Sequence, residues 1–271
     1  MSERLPAPDV SRFPDLDDRH MRIVDERTPL ARIFAAGGRH PTTWNGLRSF
    51  GPTSSRFDHQ PPPSHDHPTR RVMYGAVAVA DRQGVVYPTL KTCLAECFRD
   101  RGIVELRRDD PCYTQFRAVR PLRLLDLSDS DWVTHAGGNA ALTSGPRSRA
   151  RPWARAIYRR YPTIDGVFFA SSNIPNARAF ALWERAENAL PARPSFNKLL
   201  ADPGLRPAIE TYAGSSSPLT STRHRGPARV VAQSLCWPVR TPLVHRIDTP
   251  CQSADDDFGQ QAKGTACTRS A

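Results

Sequence analysis

A chain of 271 residues is long enough to bury a core of its own without metal or disulfide support, and 39% hydrophobic with 24% charged residues is ordinary globular usage. The 26 prolines point to some unstructured length. A net charge of +11 suggests nucleic acid as a partner, but only Lys91, Lys198 and Lys263 are lysines; the rest is scattered arginine, with no helix-turn-helix, finger or RNP pattern beside it, which argues against a dedicated nucleic-acid role.

Residues 1–27 alternate Asp, Arg and Pro with few large apolar side chains, and read as a flexible arm. From Thr28 onward apolar content rises through Leu30-Ala31-Arg32-Ile33-Phe34, where the folded domain is expected to begin. Gln60-Pro61-Pro62-Pro63 and the following Ser64–Thr69 must be loop, because consecutive prolines block both helix and sheet pairing. Arg71–Ala80 is β-branched and apolar, bounded by a turn at Asp81–Gly84, and predicts a buried strand.

Leu90, Cys93, Leu94, Cys97 and Phe98 form a stripe of helical period, with Glu96 at its edge beside Cys93. Leu122–Leu127 reads as a strand, Pro152-Trp153 as the opening of a helix with Ile157, Tyr158 and Tyr161 inward, and Asp165–Ala170 as a strand ending at Ser171-Ser172-Asn173. A further helix is predicted from about Ala177 through Leu190, with Phe180, Trp183 and Leu190 inward. Residues 215–271 lose all periodicity and read as a low-order Arg/Ser/Pro-rich tail; the alternative is a small subdomain around Val230 to Ile247.

Familiar chemical motifs are absent: no phosphate loop, no nucleophile elbow, no zinc-binding helix. Six cysteines lack Cys-x-x-Cys pairs, and His65-Asp66-His67 lies in a proline-rich loop with no third ligand, so no metal is expected. No run approaches the about 18 apolar residues of a membrane span, and the N-terminus lacks a signal-like apolar segment; a cytoplasmic protein with reduced thiols is expected.

What remains is a set of polar residues embedded in apolar blocks: Arg32, Arg56, Tyr74, Glu96 and Ser171. Singly each has an ordinary reading as a surface arginine with a buried stem, a core tyrosine, a solvated helix residue or a strand-end cap. Together, in this order, they resemble the RES domain family, named for an arginine, a glutamate and a serine. The resemblance runs over residues 28–212 through Leu30-Ala-Arg-Ile-Phe34, Ser55-Arg-Phe-Asp58, Arg71-Val-Met-Tyr-Gly-Ala76 and Cys93-Leu-Ala-Glu-Cys-Phe98. It continues through Arg123-Leu-Leu-Asp-Leu127, Arg151-Pro-Trp-Ala-Arg-Ala-Ile157, Asp165-Gly-Val-Phe-Phe-Ala-Ser171 and Ala181-Leu-Trp-Glu-Arg-Ala186. Ser55 stands where the family commonly has glycine; Tyr87 competes with Tyr74, and Ser172 with Ser171.

The resemblance implies an α+β fold: a single domain at 28–214 with a mixed, ADP-ribosyltransferase-like β core flanked by helices. It implies a toxin of a toxin–antitoxin pair that consumes NAD by glycosyl transfer, cleaving the nicotinamide–ribose bond by phosphorolysis or hydrolysis. NAD is then the substrate, inorganic phosphate a co-substrate in the phosphorolytic case, and no other cofactor is required. Glu96, Arg32 and Ser171 would be catalytic; Arg32, Arg56, Tyr74 and Ser171 would bind substrate. An antitoxin protein would cover the cleft, and a homo-oligomer is left open. Two alternatives stand beside this reading: protein ADP-ribosyl transfer on the same fold, and a basic, nucleic-acid-associated binding protein using the arginine-rich tail.

Overall fold

The computed structural model describes residues 4–81, 83–98 and 103–214; the tail at 215–271 and its alternative subdomain lie outside the described residues. In chain order the elements are β1 (Met21–Val24), β2 (Leu30–Ala35), the two-residue strands β3 (Phe50–Gly51) and β4 (His65–Asp66), β5 (Val72–Val77) and α1 (Thr89–Phe98). Then come β6 (Pro111–Phe116), β7 (Leu122–Asp126), α2 (Trp132–His135), α3 (Ala141–Ser144) and α4 (Arg147–Arg160). Last are β8 (Gly166–Ala170), β9 (Arg178–Trp183), β10 (Phe196–Leu199) and α5 (Arg206–Gly214).

Eight strands form one mixed sheet in the order β1-β7-β8-β9-β5-β2-β6-β10, with β7 and β8 parallel and the other neighbours antiparallel; the fold is α+β. Side chains alternate across it, as a strand's period of two requires. Val167, Phe169, Ala179, Ala181 and Trp183 face a core shared with Trp132, Trp153 and Ile157, while Phe168, Phe180 and Leu182 face a second core with Leu30, Phe116 and Leu124. A third cluster joins Ala31, Ala76 and Tyr113 to Leu90, Cys93, Leu94 and Phe98 of α1.

One irregularity shapes the site. β2 pairs along its whole length with β6, but with β5 only at Leu30↔Val77 and Ala31↔Ala76. At that crossing Gly75 has no side chain, and a Cβ there would lie 2.4 Å from the Ala31 carbonyl oxygen, so the close approach depends on glycine. Beyond it the two strands part, and Arg32 and Tyr74 lie where the ladder has ended.

The strand at 72–77, the helix at 89–98 and the strands at 122–126 and 166–170 agree with the sequence reading. Three expectations are corrected. Residues 4–27 are packed rather than a flexible arm. Leu5 and Phe13 are buried in the first core, Phe13 stacking on Trp153 at 5.6 Å and meeting Trp132 edge-on at 5.1 Å. Trp153 Nε1 donates to Pro6 O and Tyr161 Oη to Pro14 O, and β1 pairs with β7. The few large apolar residues of the segment are enough because an aromatic socket receives Phe13, a feature no composition window contains.

The helix expected over 177–190 is instead the central strand β9 followed by a 3-10 turn at Glu184–Ala189. All six residues of β9 are buried and, after Arg178, apolar on both faces, and such a run carries no period that separates strand from helix. The helix placed at Pro152-Trp153 begins at Arg147, with Pro152 inside it. The missing amide costs one hydrogen bond, which the burial of Ala150, Trp153 and Ile157 on one face offsets.

Candidate active site

Glu96 projects from the last turn of α1, and Ser171 directly follows β8; 75 positions apart in sequence, they meet, with Ser171 Oγ donating to Glu96 Oε1 at 2.5 Å. The serine is buried and oriented by its own loop, since its Oγ also accepts from the amides of Asn173 (3.1 Å) and Ile174 (3.0 Å). Those two amides fix the lone pairs and leave the hydroxyl proton for the carboxylate. Asn173 Nδ2 reaches the Ala95 carbonyl, tying the same loop to α1. Ser172, the rival serine, is exposed.

Tyr74 acts as a post. Its Oη donates to Asp58 Oδ1 (2.8 Å) and accepts from the Phe57 amide (3.0 Å), so it grips the loop that carries Arg56. Burial first, then the Asp58 charge, push the phenol well above its usual range, so it is a fixed donor and not an acid at physiological pH. Tyr87 makes no comparable contact with the site; Tyr74 is the one placed in it.

Asp58, which sequence reasoning did not single out, is fully buried and saturated. Besides Tyr74 it accepts from Arg48 Nη2 (2.6 Å), the Thr53 amide (2.6 Å) and Thr53 Oγ1 (2.8 Å). The only signal was its place two residues after Arg56 in Ser55-Arg-Phe-Asp58. Ser55 itself causes no strain: positive-φ non-glycine residues among the described ones are Asp109, Asp110 and Asn176.

Arg56 and Arg32 differ from the molecule's other buried arginine. Arg178 is neutralised by Asp129 at 2.9 Å. Arg56 instead gives Nη1 to the carbonyls of Gly145 (2.6 Å) and Leu142 (3.4 Å), and Arg32 gives Nη1 to the Gly46 carbonyl (2.7 Å); neither forms an ion pair among the described residues. Arg32 Nε has no hydrogen-bond partner. Burial pulls the Arg32 guanidinium down to about 10, and pulls Arg56 down too, with Arg147 adding repulsion while Glu96 and Tyr74 partly offset it. Two guanidiniums buried without a carboxylate are an arrangement that favours an anion.

The five residues are not one contact cluster. Ser171 touches Glu96, and Arg56 lies in the field of Glu96 and Tyr74. Arg32 touches none of them. It lies just past the end of the β2–β5 ladder, held by the Gly46 carbonyl, and its charge reaches Cys93 and Cys97 of α1. The link is Cys97, a solvent-reached thiol on a crowded wall: burial first, then Glu96, push it up to about 12, and Arg32 pulls the other way.

A cavity of about 480 Å³ opens beside this constellation rather than on it, bordered by Ser128, Asp129, Thr134, Thr143, Ala170 and Arg178. Ala170 precedes Ser171, and Thr143 follows the Leu142 that receives Arg56, so the space adjoins the site through two chain neighbours. Hydrogen-bond geometry, more than cavity size, defines the catalytic candidates. In the His65-Asp66-His67 segment, His65 Nδ1 and His67 Nε2 contact the carbonyls of Asp66 and Gly51.

No family model and no curated protein matches the chain. Among solved structures it is similar to a chain of the Mycobacterium tuberculosis MbcT-MbcA toxin-antitoxin complex, at 15% identity over 70% of this chain and 90% of that one, with a TM-score of 0.43. Among the described residues no helix is long and apolar enough to cross a membrane.

Proposed function

We propose that this chain is a toxin-type RES enzyme that cleaves the nicotinamide–ribose bond of NAD by phosphorolysis or hydrolysis. The observation that carries the reading is Glu96, held by Ser171 at 2.5 Å, in the field of the unpaired, buried Arg56. Loss of nicotinamide leaves positive charge on the ribose, and a fixed carboxylate stabilises it. Ser171 holds that carboxylate in one rotamer. Arg56 and Arg32 supply planar donors for the anionic pyrophosphate and, in phosphorolysis, for the attacking phosphate.

In the phosphorolytic case a phosphate oxygen forms the new bond to the anomeric carbon as the bond to nicotinamide breaks, and neutral nicotinamide leaves with the electron pair. In hydrolysis water takes that place and yields a proton. Glu96 accepts it or holds the ribose hydroxyls. An antitoxin-like partner covering this cleft is part of the same proposal, and NAD is the substrate with no other cofactor in the reaction.

Purified full-length protein, incubated with NAD with and without phosphate, is expected to release nicotinamide, and the ribose product identifies the acceptor. Glu96→Ala lowers the rate by at least about 100-fold, the effect of removing one charge-stabilising group. Retention of full activity by that variant refutes the assignment of Glu96. ADP-ribose adducts on lysate proteins, with no free ribose product, would move the reading to protein modification.

A further inference from the structure

The packed N-terminal segment brings together side chains far apart in sequence on the side of the molecule where α2 follows β7. His20 is 1% exposed, and its Nε2 is buried without a hydrogen-bond partner. That atom lies 3.4 Å from Asp131 Oδ1, and Asp131 Oδ2 lies 3.8 Å from His135 Nε2. Asp131 occupies the N-cap position of α2, but its carboxylate makes no cap hydrogen bond. His135, one helical turn on, is exposed, and the two imidazoles stand at 87° to each other. One donor atom from each of the three residues falls within 4.8 Å of the others.

We propose that His20, Asp131 and His135 form a binding site for a divalent transition-metal ion of the zinc class, with water in the fourth position. The argument is geometric. Ligands about 2.05 Å from a tetrahedral zinc lie about 3.4 Å apart, which is the His20–Asp131 spacing. In such a pair the nitrogen lone pair aims at the shared ion, roughly 35° off the line to the oxygen.

The shell behind the ligands fits as well. His20 Nδ1 lies 3.4 Å from the Asp17 amide and 3.2 Å from Asp17 Oδ1; a metal on Nε2 would select the tautomer in which Nδ1–H donates to that carboxylate, the carboxylate–imidazole relay that orients metal-bound histidines. Arg19, whose charge also reaches Asp131, is bonded to Asp17 at 2.8 Å. Two imidazoles and one carboxylate are the borderline-soft set that zinc and its neighbours prefer over calcium or magnesium. His135 and Asp131 are exposed, and their side chains must swing inward to bring donor atoms that now lie within 4.8 Å of one another to the spacing of a bound ion.

The ion would clip the N-terminal segment to α2, whose Val133 and Thr134 border the 480 Å³ cavity. It would thereby steady one wall of the space beside the catalytic candidates. The site is separate from Glu96 and does not depend on what that residue does.

The test uses full-length protein stripped with a chelator, titrated with Zn²⁺ by calorimetry and by thermal melting, against His135→Ala, Asp131→Asn and Asp17→Asn. Wild type is expected to bind one more equivalent than His135→Ala or Asp131→Asn, and to gain a zinc-dependent rise in Tm that both lack. Asp17→Asn weakens that equivalent by about 10- to 100-fold. Cobalt in the same site should show nitrogen and oxygen ligation without a thiolate charge-transfer band, which separates it from the cysteines. Because His135 is exposed, its variant should melt with metal-free wild type. Equal zinc stoichiometry and equal Tm shifts in wild type and His135→Ala overturn the proposal, as does the absence of any chelator-sensitive equivalent in wild type.

Discussion

Tyr74→Phe isolates the hydroxyl that joins the sheet to the Arg56 loop, because it keeps the ring and its packing. Two hydrogen bonds are lost: the donation to Asp58 Oδ1 and the acceptance from the Phe57 amide. Asp58 retains Arg48, the Thr53 amide and Thr53 Oγ1, so its share is at the low end for a charged hydrogen bond, about 1.5 kcal/mol. The Phe57 amide, on a residue that is fully buried, is left without its partner at about 1–2 kcal/mol. The sum, about 3 kcal/mol, lowers Tm by roughly 6–12 °C in a domain of this size. Arg56 sits one residue before Phe57, so its guanidinium loses its fixed position and nicotinamide release falls with the stability. Differential scanning calorimetry and the NAD assay at a temperature where the variant is folded read both effects. A phenylalanine variant with wild-type Tm and full activity would mean that Tyr74 contributes only its ring, and the post described above would be wrong.

Phe13→Ala tests whether residues 4–27 belong to the core: truncating a buried aromatic costs about 3–5 kcal/mol in chemical denaturation, whereas a flexible arm would give no change. Arg32 is buried without a counter-ion, so phosphate or pyrophosphate at about 100 times its Kd should stabilise wild type by about 2.7 kcal/mol; Arg32→Met should remove that gain, and an unchanged phosphate shift in the variant refutes an anion role for Arg32. His59 is fully buried against Tyr158, and burial holds its imidazole below the ordinary 6.5, with Glu184 opposing from 3.3 Å. The unfolded chain therefore binds the proton more readily, and stability is lost as pH falls from 6.5 through the folded value. His59→Phe should flatten the Tm profile between pH 6.5 and 5; an unaltered slope would show that other groups set it.

Legibility followed the locality of the forces. α1 was readable because its stripe of Leu90, Cys93, Leu94 and Phe98 is buried on one face, which leaves a period in the sequence. β9 was not, because its neighbours β8 and β5 and the two cores beyond leave it no polar face, and periodicity vanishes when every side is buried. The edge strands failed for the opposite reason. β10 is mostly exposed and is held by backbone pairing with β6, so Phe196–Leu199 carries little side-chain signal. The N-terminal segment is anchored mainly by Leu5 and Phe13, with Leu16, Met21 and Val24 adding contacts, and the aromatic partners of Phe13 lie more than 100 residues away.

The candidate site divides along the same line. Ser171 and Glu96 were selected from their order within matching blocks, and only the fold brings them into contact, since no local rule joins positions 75 apart. Asp58 escaped selection because a carboxylate near an arginine reads as a surface ion pair, yet it bonds to Arg48 and Tyr74 and not to Arg56. That division explains the electrostatics of the site. Asp58 is spent on Arg48, Asp129 on Arg178 and Asp165 on Arg120, each within 2.9 Å. What the fold leaves over is Arg32 and Arg56, buried and bonded only to carbonyl oxygens, with Glu96 held by a neutral serine. An excess of buried positive charge beside one oriented carboxylate suits a substrate that brings its own phosphates and develops a cation at its sugar. The distribution of partners among the arginines, more than the identity of the five residues, is what gives the NAD reading its physical content.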